Sequence, residues 1–555
     1  VTGSVVFGDV VQISGVDGDV LVSRNPPPYQ VVAADDRPVS LSVARARAQP
    51  SRLLLARHQI VPFTGRENTL DRLAAWMNSD APVATLLIHA AGGQGKTRLA
   101  AHVSAQCATA GWVVWKITHI PTPVAATATT VSQVDVPAAA VLAVVDYADR
   151  WPASALLSLL TQLNDLHART GIQVRVLMLA RSDGYWWPAL ADRADSDLGI
   201  DVDQLPLPAL ASDGGHDRPG LFTAAADRFA AAMDLTPPTS GWTVPPLTLA
   251  GYGQVLAVHM TALAAVDAHL HDQAPPADPG AVSAHLLSRE QAYWQHLYTR
   301  SEAPLHTPPG MMHRTVLTAT LTGSQPRAAA RQALAWTRFT DTAQTADQVI
   351  DDHTVCYPPT DVRAVFEPLH PDRLGEDLIA LTTPGHGRDN RLGRDWAADA
   401  ITGLLTTAPS SAWSATAVTV LVETAHRWPH VATDVLYPLV HAHPQQVIAA
   451  GGATITRLAS IPGIDLDVLQ ALEPLLPDHR HIDLDIAAAA ITTTLTTHRL
   501  AGTTDPAEQA LLHATHAYRL ANAGRHQQAL VPAEEAVSIY RRLAEVDRGD
   551  CTRFG

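Results

Sequence analysis

The residues with the plainest chemical meaning are "AAGGQGKT", residues 90–97. A glycine loop between a strand and a helix presents backbone N–H groups to phosphate oxygens, aided by the positive end of the helix. Gly92, Gly93 and Gly95 permit that close approach, while Ala90 stands where glycine is usual. Lys96 would reach the β- and γ-phosphates, and the Thr97 hydroxyl would ligate Mg²⁺. Gln94 and Arg98 flank these two residues and join them as nucleotide-binding candidates. Further along, "VLAVVDYAD" ends an apolar run on Asp146, with Asp149 a helical turn later. A carboxylate at such a strand end holds the Mg²⁺ shell, so Thr97 and Asp146 are the expected metal pair. Asp149 reads either as the group that polarises an attacking water or as a helix cap. A third apolar run, "IQVRVLMLARSD", ends on Arg181. Its fixed fork of donors suits sensing a γ-phosphate, with a surface salt bridge as the alternative.

Such residues must be gathered by strand ends. The three apolar runs alternate with helical patterns, which implies an α/β domain with a parallel sheet covered on both faces. The tryptophans Trp186 and Trp187 after the third run are expected as core anchors. Beyond residue 205 the strand signal fades into helical periodicity. The chain of 555 residues is too long for one core. The expected parts are a β-prone strip at 1–24, a Pro- and Arg-containing linker at 25–50 and the NTPase core at 51–204. A helical part follows at 205–304, then mixed helices and short extended pieces at 305–391. Ala/Leu-rich helical repeats with Pro breaks fill 392–504. Residues 505–555 read as one tetratricopeptide-like hairpin with Ala529, Ala533 and Ala536 at packing positions; either further repeats follow it or the preceding helices cap it.

Composition narrows the class. Apolar residues make up 46% and charged residues 17%, as in a globular protein. The net charge of -15 argues against non-specific binding to nucleic acid or anionic lipid. Cys107, Cys356 and Cys551 have no metal or disulfide spacing, which suits a reducing cytoplasm. No apolar run approaches the roughly 20 residues that cross a bilayer, and no basic-then-apolar signal pattern opens the chain.

In their order, these motifs resemble the STAND NTPases, the switch ATPases that include NB-ARC, NACHT and bacterial NLR-type proteins. "VPFTGRENTLDRL" looks like the hydrophobic–Gly-Arg-Glu motif of one branch, which implies Phe63, Gly65, Arg66 and Glu67 near adenine and ribose. "DYAD" resembles the NACHT form of the Mg²⁺ motif, with Arg150 where an acidic residue often stands. "GYGQVLAVHMTAL" is similar to the family's Gly-x-Pro-Leu helix, with Val255 in place of the proline. "EPLHPDRLGEDLI" resembles the Met-His-Asp motif that ends a winged-helix subdomain, here interrupted by Pro371. By that likeness His370 would contact the β-phosphate of ADP and Asp372 would brace it. The resemblance covers about residues 58–390 and makes 305–391 winged-helix-like. It implies a slow ATPase using ATP/ADP and Mg²⁺, with Lys96, Asp146, Asp149 and Arg181 as its catalytic set. It also implies a cytoplasmic switch that forms a homo-oligomer when a trigger meets the C-terminal repeats. Two rivals share the motifs: a transcriptional regulator, for which no basic recognition helix is present, and a scaffold whose NTPase has decayed.

The strip "VVFGDVVQISGVDGDVLV" lacks proline and alternates apolar with small residues, as cross-β stacking requires. Val11, Gln12 and Ile13, with Gly15, resemble the core of RHIM-like amyloid signalling motifs. That likeness implies a separate effector protein bearing a matching motif. A docked β-hairpin or a disordered tail fits the same composition.

Overall fold

A computed structural model describes residues 28–34, 38–119, 138–210, 217–337, 343–361, 363–387, 396–406 and 413–551. The strip at 1–24, with Val11, Gln12, Ile13 and Gly15, lies outside the described residues.

In chain order the first part contains β1 (Tyr29–Ala33), α1 (Val43–Ala48), α2 (Glu67–Met77), β2 (Val83–His89), α3 (Lys96–Thr109), β3 (Val113–His119), β4 (Ala140–Val145), α4 (Ala153–Thr170), β5 (Gln173–Ala180), α5 (Trp186–Leu198) and β6 (Asp201–Pro206). The three apolar runs are β2, β4 and β5, and they are buried along almost their whole length. The sheet order is β1-β3-β4-β5-β2-β6, parallel except for β1. β5 therefore lies between β2, which feeds the glycine loop, and β4, which ends at Asp146. One face is covered by α2 and α3 through Leu73, Trp76, Leu99 and Val103. The other is covered by α4 and α5 through Leu156, Leu159, Leu163, Trp186 and Trp187. The two tryptophans are buried edge to face at 5.8 Å, the core anchors expected of them. Arg175 sits fully buried in β5, its guanidinium capped by the carbonyls of Trp76, Ser79, Ala81 and Val174.

Among the described residues of the linker expected at 25–50, two regular elements appear. β1 completes the sheet edge, with Tyr29 and Val31 alternating inward and the Tyr29 hydroxyl donating to Gln162 at 2.5 Å. α1 and the turn after it pack into the helical half: Gln49 donates to buried Glu290 at 2.7 Å, and Arg45 donates to the Cys356 carbonyl at 2.7 Å. A short edge strand directly after three prolines carries too few residues to announce its period.

The remainder is helical: α6 (Arg218–Ala232), α7 (Val255–Leu270), α8 (Pro279–Thr299), α9 (Pro309–Thr322), α10 (Arg327–Trp336), α11 (Ala343–Cys356), α12 (Asp372–Leu381), α13 (Ala397–Thr406), α14 (Ser414–Ala425), α15 (Pro429–Val431), α16 (Tyr437–Ala442), α17 (Pro444–Ala449), α18 (Gly452–Ala459), α19 (Leu466–Leu472) and α20 (Asp485–Gly502). One continuous apolar cluster runs from α6 to α20, so the boundaries expected at 304/305 and 391/392 are not breaks in the core. Among the described residues of 305–391, the extended pieces reduce to one antiparallel bridge, Gln325 with Phe366.

α21 (Pro506–Asn522) and α22 (His526–Cys551) form the terminal hairpin. Ala529 and Ala536 are buried and Ala533 is half-buried, while Leu511, Leu530, Val531 and Val537 stay exposed. Its turn rests on the α/β domain. Arg525 donates to the Gly184 carbonyl at 2.5 Å and lies over the Tyr185 ring at 4.8 Å. Among the described residues no helix is long and apolar enough to cross a membrane.

Candidate nucleotide site

β2 delivers the chain into the glycine loop, and α3 starts at Lys96. Gly93 and Gly95 take φ of 82° and 87°, a left-handed backbone that side chains disfavour. A Cβ on Gly93 would lie 3.0 Å from the Leu256 Cβ of α7, and the Leu256 N–H donates to the Gly93 carbonyl at 2.9 Å. The glycines thus serve loop curvature and the seating of α7 against it.

The loop opens on a cavity of about 1490 Å³. Phe63, Gly65, Arg66, Gly92, Gly93, Gln94, Gly95, Lys96, Thr97, Arg98, Asp146, Arg181 and His370 all line it, as does Val255 in the place of the expected proline. The Thr97 hydroxyl donates to Asp146 at 2.9 Å, and Asp146 also accepts from the Tyr147 N–H. Burial raises the Asp146 pKa, so this carboxylate gains from a nearby cation. A hydroxyl and a carboxylate side by side fit the donor set of a hydrated Mg²⁺. Among the described residues no three His, Cys, Asp or Glu are grouped as a metal site. Lys96 folds back on the Ala90 and Ala91 carbonyls at 2.6 and 3.2 Å. Burial, then Arg181 beside it, lowers its pKa to about 8.

The flanking motif closes over α3. Arg66 donates to the Gln94 carbonyl at 3.0 Å, Arg98 donates to the Val61 carbonyl at 3.2 Å, and Phe63 stacks on His102 at 4.7 Å. The Gln94 side chain donates to the Gly253 carbonyl at 2.8 Å, so it braces the loop against the segment leading into α7.

Two expected roles change. Asp149 does not face the cavity. Tyr147 takes a left-handed φ of 55°, turning the chain so that Asp149 accepts the Arg181 backbone N–H at 2.8 Å and lines a separate cavity of about 440 Å³. It does not cap α4; its charge still acts on Lys96, and its Oδ1 is buried without a hydrogen-bond partner.

Arg181 is neither a free sensor nor a surface ion pair. Its guanidinium lies against the loop, 3.6 Å from where a Gly92 Cβ would stand. It is bound to Glu423 at 2.7 Å, Glu376 at 2.8 Å and Asp372 at 3.1 Å. Arg150 also reaches Asp372, at 3.3 Å; Arg427 pairs with Glu376 at 3.0 Å and Arg457 with Glu423 at 3.2 Å. Burial alone would raise the Glu423 pKa, but Arg181 and Arg457 hold it at about 2. Asp372 likewise stays well below the carboxylate range despite burial, held by His370, Arg150 and Arg181.

His370 lines the cavity with its Nδ1 3.3 Å from Asp372. Burial opposes its charge, yet Asp372 and Glu367 prevail and its pKa rises. The expected bracing of His370 by Asp372 is present. Sequence reasoning misses Glu376, Glu423, Arg427 and Arg457. The signal for two of them is a Glu and an Arg four residues apart inside the apolar stretch "LVETAHRW".

No family model and no curated protein matches the chain. Among solved structures, the ORC2 protein of Aeropyrum pernix in ADPNP–ADP complexes is 16% identical, covering 62% of this chain and 87% of that one at a TM-score of 0.27. The ORC1 protein of the same organism in complex with DNA is 14% identical, covering 55% and 86% at a TM-score of 0.29. Likeness at this level is too slight to define the fold. The chain's own features are a mostly parallel sheet, a glycine loop between β2 and α3 with the Thr97–Asp146 pair beside it, and helical parts that follow.

Proposed function

We propose that this chain is a nucleotide-dependent switch of the STAND kind, taking ADP or ATP with Mg²⁺ in the loop-lined cavity. The observation that supports it best is the joining of Arg181, at the loop, to carboxylates on α12 and α14. The groups that would meet phosphate and the groups that hold the helical half in place are thus in direct contact. A ligand moves such an equilibrium only if it binds the two arrangements with different affinity. Contacts shared between loop and helices supply that difference.

The loop backbone, Lys96 and Thr97 would hold the phosphates, and Asp146 with Thr97 would hold the metal. Phe63, Gly65, Arg66 and Val255 would border the base and ribose, and His370 offers a cationic imidazole at the phosphate end. Bound ATP supplies a cleavable phosphoanhydride. Asp372, Glu376 and Glu423 are held by arginines and one Asp149 oxygen accepts the Arg181 N–H, so water activation here would be weak. Hydrolysis is accordingly slow and belongs to resetting the switch.

The finer proposal is an NLR-like immune or programmed-death receptor. A trigger on the C-terminal helices loosens the closed arrangement, ATP replaces ADP, and copies assemble. Assembly crowds the 1–24 strips, which then template a separate effector through Val11, Gln12, Ile13 and Gly15.

Light scattering on the purified chain with ADP and with a non-hydrolysable triphosphate tests this. The expected result is a monomer with ADP and a larger assembly after triphosphate loading. A Gln12→Ala variant should assemble equally but fail to seed thioflavin-positive fibres. An unchanged mass under both nucleotides, with triphosphate bound, would refute the switch.

A further inference from the structure

The second cavity, of about 440 Å³, has the size of a small-molecule site. It lies where the turns after β4 and β5 meet α14, α18, α20 and the turn of the terminal hairpin. Glu423 and Arg457 line it and the nucleotide cavity alike, so the two share a wall. Its charged lining residues are Asp149, Arg150, Asp183, Glu423, Arg457 and Arg525. Most are already matched. Glu423 pairs with Arg181 and Arg457, and Arg150 with Asp372. Asp183 accepts the Gly184 N–H at 3.0 Å and has His89 at 3.8 Å. The threonine donors are spent too: Thr456, Thr493 and Thr494 donate to carbonyls of their own helices, and Thr419 bonds the Ala415 carbonyl and Thr454 at 2.8 Å each. Two groups keep unspent capacity. Asp149 accepts the Arg181 N–H, but its Oδ1 is buried without a partner. Arg525 donates to the Gly184 carbonyl and lies over Tyr185, yet among the described residues it makes no ion pair, and its Nε is buried without a partner. Buried polar groups left this way cost stability that a ligand can restore.

We infer that this cavity is a second ligand site, taking a small zwitterion of amino-acid size. Its ammonium group donates to Asp149, its carboxylate meets the Arg525 guanidinium, and its side chain lies among Trp186, Val422, Ala453 and Ala490. Asp149 stands on the turn after β4 and Arg525 on the hairpin turn, so one ligand satisfies groups on two different walls. A metal ion alone would leave Arg525 unmatched, and an inorganic anion would leave Asp149 unmatched. Neither group's role here depends on nucleotide binding.

The test is calorimetric titration of the full chain with each common free amino acid in turn. At least one should bind with a Kd of about 1 mM or tighter. Arg525→Gln and Asp149→Asn should each weaken that ligand about tenfold or more. On wild type, the amide of the same amino acid should lose affinity to a like degree. In Arg525→Gln, free acid and amide should bind about equally, because the carboxylate has lost its partner. Glu473→Gln alters a carboxylate paired with Arg499 outside both cavities, and should keep affinity within about twofold. If one variant fails to fold, the other decides, and the comparison of acid with amide needs wild type alone. No binding of any amino acid to the folded wild type overturns the inference. So does a ligand whose affinity neither variant moves, or equal binding of acid and amide to wild type.

Discussion

Replacing Arg181 by alanine perturbs the charge cluster that joins the loop to α12 and α14, and the structure sets its cost. The guanidinium is 10% exposed and donates to three carboxylates at 2.7–3.1 Å. Removing one member of a buried ion-paired group typically costs about 3–5 kcal/mol, because the partners stay desolvated. Here each carboxylate keeps a second cation: Arg150 and His370 for Asp372, Arg427 for Glu376, Arg457 for Glu423. The expected loss is therefore at the lower end, about 3 kcal/mol near pH 7. Its pH dependence has a definite sign. Glu423 at about 2 and the depressed Asp372 lie below their unfolded values near 4, so the stability they contribute is present above that range and is lost as pH falls through the folded pKa values. Arg181 is the largest lowering influence on Glu423 and a further one on Asp372, so the gap between wild type and Arg181→Ala should narrow as pH falls from about 4 toward 2. Denaturant unfolding of both proteins at several pH values reads this, with hydrogen exchange reporting on α12 and α14. A loss under about 0.5 kcal/mol, or one independent of pH, would refute the idea that Arg181 ties the helical half to the loop.

Other consequences rest on the same geometry. Lys96, lowered to about 8 in the free cavity, should regain its proton when phosphate binds. Calorimetry above pH 8 should show proton uptake and affinity falling by up to about tenfold per pH unit; no uptake would place Lys96 away from phosphate. Gly93→Ala adds a Cβ 3.0 Å from Leu256 at a left-handed φ, so stability should fall by about 1–3 kcal/mol and α7 should lose exchange protection; a neutral outcome contradicts the loop–α7 contact. Gly524→Ala places a Cβ 3.0 Å from the Ala189 Cα, again at positive φ. It should loosen the hairpin turn and the start of α5 in hydrogen exchange while β4 and β5 stay protected.

Legibility in the sequence tracks local periodicity. Buried parallel strands read as unbroken apolar runs, so β2, β4 and β5 are visible, and with them the residues at their ends. The loop, Thr97 and Asp146 come from spacing within single elements, whereas Phe63, Gly65 and Arg66 come from the resemblance of "VPFTGRENTLDRL" to a family motif. Asp149 is misplaced by such a reading because one left-handed residue, Tyr147, reorients the chain after β4, and a tyrosine does not announce such a turn. Arg181 falls at the right strand end but gains the wrong partners. Its acids stand 191, 195 and 242 residues away, and no local pattern encodes that pairing. Glu376 and Glu423 each occupy a helix whose polar positions look like ordinary solvent-facing ones until α12 and α14 are packed against the loop.

The central claim is that the glycine-loop cavity binds nucleotide through Lys96. Isothermal titration of Mg²⁺–ADP into the full chain and into its Lys96→Ala variant addresses it directly. One saturable site in wild type is expected, with affinity lowered about a hundredfold or more in the variant, equivalent to roughly 3 kcal/mol. Equal affinity in the two proteins, or no binding to the folded wild type, would contradict it.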